Sequence, residues 1–387
     1  MPEFKGIVRS KLPKAGTTIF SIMSGLANEV GAINLSQGFP GFPVSETLIS
    51  LYHEALKAGH NQYAPMPGIF PLRECIAEKM EELYSCSYNP DTEITITAGG
   101  TQALYTAISA LIHEGDEVIV LEPSYDSYVP AILLAGGIPV HIPLQPPHYS
   151  IPWEEIKKLI TQKTRMIIIN TPQNPTGTIL TAKDMLKLEK ITDGTDIIIL
   201  SDEVYEHIIF DGYEHQSVAR FPKLAERSMI VFSFGKTFHA TGWKVGYCLG
   251  PAHLMKEFRK VHQFTVFSVN TPLQHALTAY MLNKENYAGL SEFYQKKRDY
   301  FQKLMKGSNF KILPCLGSYF QLLDYSSISK EKDTEYAIRL TKENGVASIP
   351  VSVFYSVPQD HHLLRFCFAK ENDQLEKAAE RLLEVGS

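Results

Sequence analysis

Residues 233–237 read SFGKT, and residues 242–246 read GWKVG. Lys236 therefore stands in a small-residue turn, directly after an apolar run that predicts a strand. Lys244 follows eight residues later. A lysine held by its backbone at the mouth of a pocket can form an imine with a carbonyl cofactor, most often pyridoxal phosphate (PLP). Ser233 and Lys244 would then bind the phosphate, although a lysine beside glycine is more often a solvated turn.

A second apolar run leads into an acidic residue. Residues 197–200 (IIIL) lack polar alternation, which is typical of a strand that is covered on both faces. Asp202 follows, and a carboxylate there would keep a pyridine nitrogen protonated, which makes the ring an electron sink. Tyr205 would reach the phenolic oxygen of the same ring. The alternative is that Asp202 is an ordinary N-cap at a strand-to-helix turn.

Three further apolar runs also end in residues that suit a bound cofactor. Gly99 and Gly100 open a helical pattern, and a helix N-terminus with glycines lets a phosphate approach free N–H donors. Tyr125 follows the next run and would stack on a flat ring, or simply pack. Asn174 lies in the turn at 171–177 (TPQNPTG), where its amide would donate to the ring oxygen unless this is an ordinary surface turn.

Near the C-terminus, an arginine is embedded in an apolar strand pattern. Arg365 lies within residues 363–369 (LLRFCFA). Burying an arginine is costly unless it is paired, and its planar fork suits two-point binding of a carboxylate. The pattern therefore indicates a substrate-carboxylate site or, alternatively, a structural ion pair with an internal Asp or Glu.

Taken together, these residues resemble the class I and II PLP-dependent aminotransferases of fold type I. Within them the chain is most similar to the group of bacterial methionine aminotransferases, kynurenine aminotransferases and glutamine transaminase K, on stretches such as 34–40 (NLSQGFP), 61–65 (NQYAP) and 201–207 (SDEVYEH). The family's pattern is matched in order along nearly the whole chain, at Tyr63, Gly100, Thr101, Gln102, Tyr125, Asn174, Gly177, Asp202, Tyr205, Ser233, Lys236, Lys244 and Arg365.

The resemblance implies the roles of the candidate residues. Lys236 would carry the cofactor and act as the base, with Asp202 and Tyr205 as the other catalytic residues. The implied PLP ligands are Tyr63, Gly100, Thr101, Gln102, Tyr125, Asn174, Asp202, Tyr205, Ser233, Lys236 and Lys244. The substrate would be held by Phe20, Gly38, Phe39, Asn174 and Arg365, and no metal is implied. The family further implies a homodimer with shared active sites, in which Tyr63 reaches into the site of the partner subunit.

One position departs from the family's usual pattern. Lys244 stands where many relatives have arginine. A lysine supplies the same charge but no bidentate fork. We therefore expect the cofactor to be held less tightly than an arginine would hold it.

The length and the element pattern predict two domains. At 387 residues the chain exceeds what one core usually organises. Apolar strands alternate with amphipathic helices, which predicts an α/β fold with a mostly parallel seven-stranded sheet flanked by helices. These strands are expected around Ile96, Ile119, Val140, Ile168, Ile198, Val231 and Tyr247. We expect a large PLP-binding domain at 46–285 and a small α+β domain at 286–387, and the resemblance implies that residues 1–45 form an N-terminal arm and part of the small domain.

Composition and charge argue against several function classes. The net charge is −5 and no dense Lys/Arg block occurs, which argues against a nucleic-acid partner. No apolar run is long enough to span a membrane, and the first residues lack the apolar region of a signal peptide. The five cysteines are widely spaced without a Cys-x-x-Cys pair, so free thiols in the cytoplasm are expected and no metal site is.

The predicted activity is transfer of an amino group from an amino acid to a 2-oxo acid by a ping-pong mechanism. Apolar and aromatic residues are expected around the site, unless some are core, at Ile19, Phe20, Phe39, Tyr63, Tyr125, Phe264 and Phe267. Because no second embedded arginine can be assigned to a side-chain carboxylate, methionine and aromatic substrates are favoured over aspartate. Two alternatives stay open, a PLP-dependent C–S β-lyase acting on cysteine S-conjugates and a kynurenine or glutamine aminotransferase. A non-enzymatic regulator of similar fold would need an added DNA-binding module, which we do not expect here.

Overall fold

The computed structural model describes residues 4–386. Its strands are β1 (Ile33–Asn34), β2 (Ile94–Thr97), β3 (Glu117–Glu122), β4 (Ile138–Pro143), β5 (Thr164–Asn170), β6 (Ile198–Asp202), β7 (Ser228–Ser233), β8 (Gly246–Leu249), β9 (Lys311–Ile312), β10 (Phe320–Asp324), β11 (Val346–Ala347), β12 (Ile349–Pro350) and β13 (Leu363–Cys367). Its α-helices are α1 (Ile19–Val30), α2 (Glu46–Lys57), α3 (Phe70–Tyr84), α4 (Gly100–Leu111), α5 (Tyr128–Leu134), α6 (Trp153–Leu159), α7 (Ala182–Thr192), α8 (Pro222–Ala225), α9 (Phe234–Thr237), α10 (Ala252–Thr265), α11 (Thr271–Met281), α12 (Glu285–Ala288), α13 (Leu290–Leu304), α14 (Asp333–Glu343) and α15 (Asn372–Leu383).

Strands β2 to β8 form a seven-stranded sheet in the order β2-β8-β7-β6-β5-β3-β4. Neighbouring strands are parallel except at β8, which is antiparallel to both β2 and β7. The register pairs Asn170 with Asp202 and Asp202 with Val231, so the carboxyl ends of three central strands meet at one edge. The predicted α/β fold and its mostly parallel sheet are confirmed.

Both faces of this sheet are covered, as the unbroken apolar runs predict. Val118 and Ile168 belong to one core cluster, together with residues of α4, α5 and α10. Ile119 and Ile167, their chain neighbours, belong to the larger cluster on the other face. Because side chains alternate along a strand, burial of both sets requires helices on both sides of the sheet.

Helix α4 begins at the predicted glycine pair. Gly99 is its N-cap and has a φ of +82°, a conformation that favours glycine. The predicted apolar stripe is buried, with Ala103, Leu104, Ala107, Ile108 and Leu111 all facing the core. The helix therefore points its free N–H groups toward the carboxyl-edge side of the sheet, where it follows β2.

The C-terminal part of the chain contains a second, antiparallel sheet in the order β12-β13-β10-β9. Strand β1 pairs with β11, with Ile33 opposite Val346, so the N-terminal segment joins this part of the molecule. The division into a large and a small domain, with boundaries after residues 45 and 285, stays a prediction.

Within residues 4–386, no helix is long and apolar enough to cross a bilayer. All five cysteines are free thiols, and Cys248, Cys315 and Cys367 are buried.

Candidate active site

A cavity of about 330 Å³ lies where the carboxyl edge of the large sheet faces the small antiparallel sheet. Strand ends contribute Asn170 from β5, Asp202 from β6 and Ser233 from β7. Phe320 of β10 and Arg365 of β13 come from the small sheet. Open α/β sheets bind their ligands outside the carboxyl ends of the strands, and this cavity occupies that position.

Lys236 reaches the cavity from α9, the one-turn helix that directly follows β7. Its Nζ donates to the Tyr319 hydroxyl at 2.9 Å and to the Gly38 carbonyl at 3.2 Å. Desolvation is the main cause that lowers the pKa of Lys236 to about 8. A large share of this amine is therefore neutral near pH 8, and the neutral form is the one that attacks a carbonyl or takes a proton.

Asp202 lies at the end of β6 and is almost fully buried. Its Oδ2 accepts a hydrogen bond from the Tyr128 hydroxyl at 2.6 Å, and its Oδ1 accepts from the backbone N–H of Val204 at 3.4 Å. Desolvation raises the pKa of Asp202 to about 6, which leaves the group mostly ionised at neutral pH. Neither hydrogen bond comes from a cation, and a buried carboxylate of this kind suits a protonated ring nitrogen.

Arg365 is buried in β13, where it forms no ion pair within residues 4–386. Its Nη1 donates to Asn174 Oδ1 at 2.6 Å and its Nη2 to the Ser36 carbonyl at 2.9 Å. Its Nε has no hydrogen-bond partner among the described residues, and the guanidinium lies 3.9 Å from the ring centre of Phe320. No carboxylate therefore lies within ion-pair distance of Arg365 in the described chain, although the charge of Asp126, which lines the same cavity, interacts with it. A substrate carboxylate would satisfy the free donor.

A cradle of small, hydroxyl and cationic residues surrounds the N-terminus of α4. A Cβ added to Gly99 would lie 3.3 Å from Lys244 Nζ, so the ammonium group sits directly over the glycine. Thr101 Oγ1 lies 3.1 Å from the Tyr125 hydroxyl, and Ser233 lines the same cavity. Helix N–H donors, an ammonium group and hydroxyls together suit a phosphate.

The cavity brings together most of the predicted site residues, namely Phe20, Gly38, Phe39, Gly100, Thr101, Tyr125, Asn174, Asp202, Tyr205, Ser233, Lys236, Lys244 and Arg365. The side chain of Gln102 does not line it. Its Oε1 accepts from the Ala98 N–H at 2.9 Å and its Nε2 donates to Thr106 Oγ1 at 2.6 Å. Only the backbone N–H of Gln102 is therefore left to bind a phosphate. The predicted role of Gln102 as a PLP ligand is limited to its backbone.

Tyr63 and three other predicted residues lie outside the cavity of their own chain. Tyr63 is 80% exposed, as a side chain that acts across a dimer would have to be. Ile19, Phe264 and Phe267, expected around the site, do not line the cavity of their own chain, so that expectation stays a prediction. Phe264 is 90% exposed because it lies at the C-terminal end of α10, where the helix meets solvent, and it is not core either.

Sequence reasoning missed three residues that support the site. Asn170 donates to the Asp202 carbonyl at 2.9 Å and accepts from the Asn174 N–H at 2.9 Å, so it joins two predicted residues. Tyr128 holds Asp202, and Tyr319 holds Lys236. The position of Asn170 at a strand end was a usable signal. No local pattern marks the two tyrosines, because their contacts are long-range in the chain.

Comparison with known proteins decides the family. A family model described as aminotransferase class I and II matches residues 30–382. The chain belongs to this family. The matched span contains all the predicted site residues except Phe20.

Individual aminotransferases match over the full length. The methionine aminotransferase of Escherichia coli K12 is 50% identical over 380 residues, which cover 98% of each chain. Human kynurenine–oxoglutarate transaminase 1 is 34% identical, covering 92% of this chain and 93% of the relative. Among solved structures, E. coli YbdL, described as having a methionine aminotransferase function, superposes with a TM-score of 0.96 at 50% identity, covering 98% of this chain and 99% of YbdL.

Aminotransferases of this family depend on PLP, and the cavity fits that cofactor. Three features match its chemistry: an amine with a lowered pKa at Lys236, a buried carboxylate without a cationic hydrogen-bond donor at Asp202, and the anion cradle at the start of α4. The free Nε of Arg365 then remains for the second ligand, the substrate.

Proposed function

We propose that this aminotransferase moves the amino group of methionine, and also of aromatic amino acids, to a 2-oxo acid by a ping-pong mechanism. The observation that carries the proposal is the convergence of Lys236, Asp202 and Arg365 on one cavity. The full-length similarity to the methionine aminotransferase of E. coli supports the choice of methionine.

Each catalytic side chain would have a distinct task. PLP supplies a carbonyl group for attachment to amines and a ring that withdraws electrons when its nitrogen is protonated. Lys236 would hold the cofactor in the resting enzyme, and its neutral Nζ would then take the proton from the substrate's Cα. Asp202 would keep the ring nitrogen protonated, and Tyr205 and Asn174 would contact the ring oxygen.

The remaining predicted residues would bind and orient. The phosphate would lie in the cradle at the start of α4, held by Gly100, Thr101, the backbone of Gln102, Ser233 and Lys244, with Tyr125 against the ring. Arg365 and Asn174, with the backbone at Gly38, would fix the substrate carboxylate, so that the Cα–H bond points at Lys236.

The lining of the cavity supports an uncharged substrate side chain. Phe20 and Phe39 line it, and its cationic side chains are Lys236, Lys244 and Arg365 among the described residues. Each of these cations already has an assigned task. An aspartate side chain would therefore be buried without a partner, which is costly.

We expect a homodimer with shared sites, because exposed Tyr63 packs edge-on against Phe267 at a ring distance of 5.2 Å, beside the solvent-facing Phe264. Such an aromatic face suits insertion beside the cavity of a partner subunit.

A cytoplasmic location is supported by the five free thiols.

Substrate preference tests the proposal directly. Initial rates with L-methionine, L-phenylalanine and L-aspartate, each against a panel of 2-oxo acids, give the ratios of kcat/KM. We expect methionine and phenylalanine to exceed aspartate by at least about tenfold, a difference of about 1.4 kcal/mol in transition-state binding. A preference for aspartate would contradict the proposed substrate class. Sustained release of pyruvate and ammonia from cystathionine without an acceptor would instead indicate the β-lyase.

A further inference from the structure

A second cavity, of about 440 Å³, lies behind the candidate active site. Its walls come from the segments 144–151 and 173–181 and from the start of α7. Among the described residues it shares only Asn170 with the active-site cavity. Its size falls within the range of small-molecule sites, roughly 300–1,000 Å³.

The carboxylate of Asp184 and the amide of Gln173, which line this cavity, are already engaged by the protein. Asp184 accepts from Trp153 Nε1 at 2.9 Å and, on its other oxygen, from the N–H of Thr181 at 3.0 Å and its hydroxyl at 2.6 Å. Gln173 donates to the Pro123 carbonyl at 3.1 Å, while its Oε1 accepts from neighbouring threonine hydroxyls. These side chains have little hydrogen-bonding capacity left for a ligand.

The charged groups that remain free are cations. Lys183 and Lys187 stand one turn apart on α7 and line the same cavity from its exposed side. Within residues 4–386 neither forms an ion pair or a hydrogen bond. His148 lies at the exposed rim.

The wall also contains the hydroxyl side chains of Ser124, Ser150, Thr178 and Thr181. Its apolar part consists of Leu121, Leu144, Ile151, Ile168, Ile179, Leu180 and Leu316. We propose that this cavity is a second ligand site, which binds a small carboxylate with an apolar body. The carboxylate would be held by Lys183 and Lys187, and the body would pack on the leucine and isoleucine side chains. A bare inorganic anion would leave that apolar wall unused.

A ligand in the second cavity would lie next to the side chains that hold Asp202 in place. Tyr128 and Asn170 both line the second cavity. The Tyr128 hydroxyl donates to the Asp202 carboxylate, and Asn170 donates to the Asp202 carbonyl. The ligand would therefore contact the two side chains that hold Asp202 from behind, without entering the active-site cavity.

Calorimetric titration of the PLP-loaded enzyme with hexanoate tests the proposal. Because Arg365 would also accept a carboxylate, we expect two hexanoate sites per chain. The double variant Lys183→Gln/Lys187→Gln should weaken one of them at least about tenfold, since charge-assisted hydrogen bonds are lost. Lys190→Gln, on the same helix but outside the cavity, is the matched control and should leave both sites unchanged.

Additional arms fix the chemistry of the ligand. Hexanamide, which lacks the charge, should not bind the affected site. The proposal is overturned if the double variant binds hexanoate at both sites as the unmodified enzyme does, or if only one site exists and it persists in that variant. Inorganic phosphate that binds the affected site as tightly as hexanoate would overturn the apolar part of the assignment. All arms measure binding, so failure of the proposed amino-acid preference would not affect them.

Discussion

The amine of Lys236 is the group on which the proposed chemistry depends most. Desolvation lowers its pKa to about 8, from the ordinary value of 10.5. Only the neutral amine combines with a carbonyl, and its fraction rises as the pH passes upward through the pKa. The rate at which the apoprotein takes up PLP should therefore rise from pH 6.5 through about pH 8, where half of the amine is neutral, and level off above about pH 9. Stopped-flow absorbance measures this rate, and a rate that still climbs steeply from pH 9 to 10 would show an ordinary lysine.

Arg365 should determine substrate binding rather than cofactor binding. Arg365→Lys keeps the buried charge but removes the fork that contacts Asn174 and Ser36. We expect KM for L-methionine to rise about 10- to 100-fold, from the loss of charge-assisted hydrogen bonds. PLP affinity should stay the same, because Arg365 lies outside the phosphate cradle. Equal losses in PLP and methionine binding would mean that the residue is structural.

At the scale of single residues, the sequence predicted which residues belong to the site, but not the direction in which each side chain points. Asp202 and Lys236 could be placed because each follows an apolar strand, and parallel strands end at a common edge. The side chain of Gln102 could not be placed, because it can point either into the cavity or toward Thr106, which lies one turn away on the same helix. Tyr319 is 83 residues from Lys236, and only the folded chain brings the two together.

Among the elements, the glycine N-cap of α4 leads to the most specific prediction. Gly99 has a φ of +82° and lies against Lys244, whereas Gly115, with a φ of +84°, faces open space. Gly99 also has a ψ of 171°, which lies in a backbone region essentially confined to glycine, so alanine there should cost about 1–3 kcal/mol of folding free energy. Alanine at Gly115 should cost about 1–2 kcal/mol. Only Gly99→Ala should also weaken PLP affinity, because its Cβ would displace the ammonium group. Thermal unfolding and PLP titration of both variants check this, and an equal loss of affinity in Gly115→Ala would assign the effect to strain alone.

The positions of the strands and helices were largely predictable from the spacing of their apolar residues. Seven strand positions and the start of α4 followed from unbroken apolar runs and a glycine pair. The exposed end of α10 was not predictable, because Phe264 in an amphipathic pattern looks the same whether it faces a core, a partner or solvent. The second cavity could not be predicted from the sequence either, since its walls come from segments far apart in the chain.

For the whole molecule, the exposed face around Tyr63 predicts an assembly. Tyr63→Phe should weaken PLP retention about tenfold if the hydroxyl reaches the phosphate of a partner subunit, since one hydrogen bond to a charged group is lost. The exposed Tyr213, changed to Phe, is the control and should retain PLP normally. PLP retention is read by dialysis, and light scattering should report a dimer for both variants. A monomeric enzyme with full activity would contradict the shared site.

The most direct test of the central claim is one half-reaction in a single cuvette. L-Methionine is added to the PLP-loaded enzyme without any acceptor, and absorbance, 2-oxo acid and ammonia are followed together, with Lys236→Ala as the control. We predict one equivalent of 2-oxo acid per site, no ammonia, and a change in cofactor absorbance that an added 2-oxo acid reverses. Continuous ammonia release, or an equal response from Lys236→Ala, would contradict the assignment of an aminotransferase that works through Lys236.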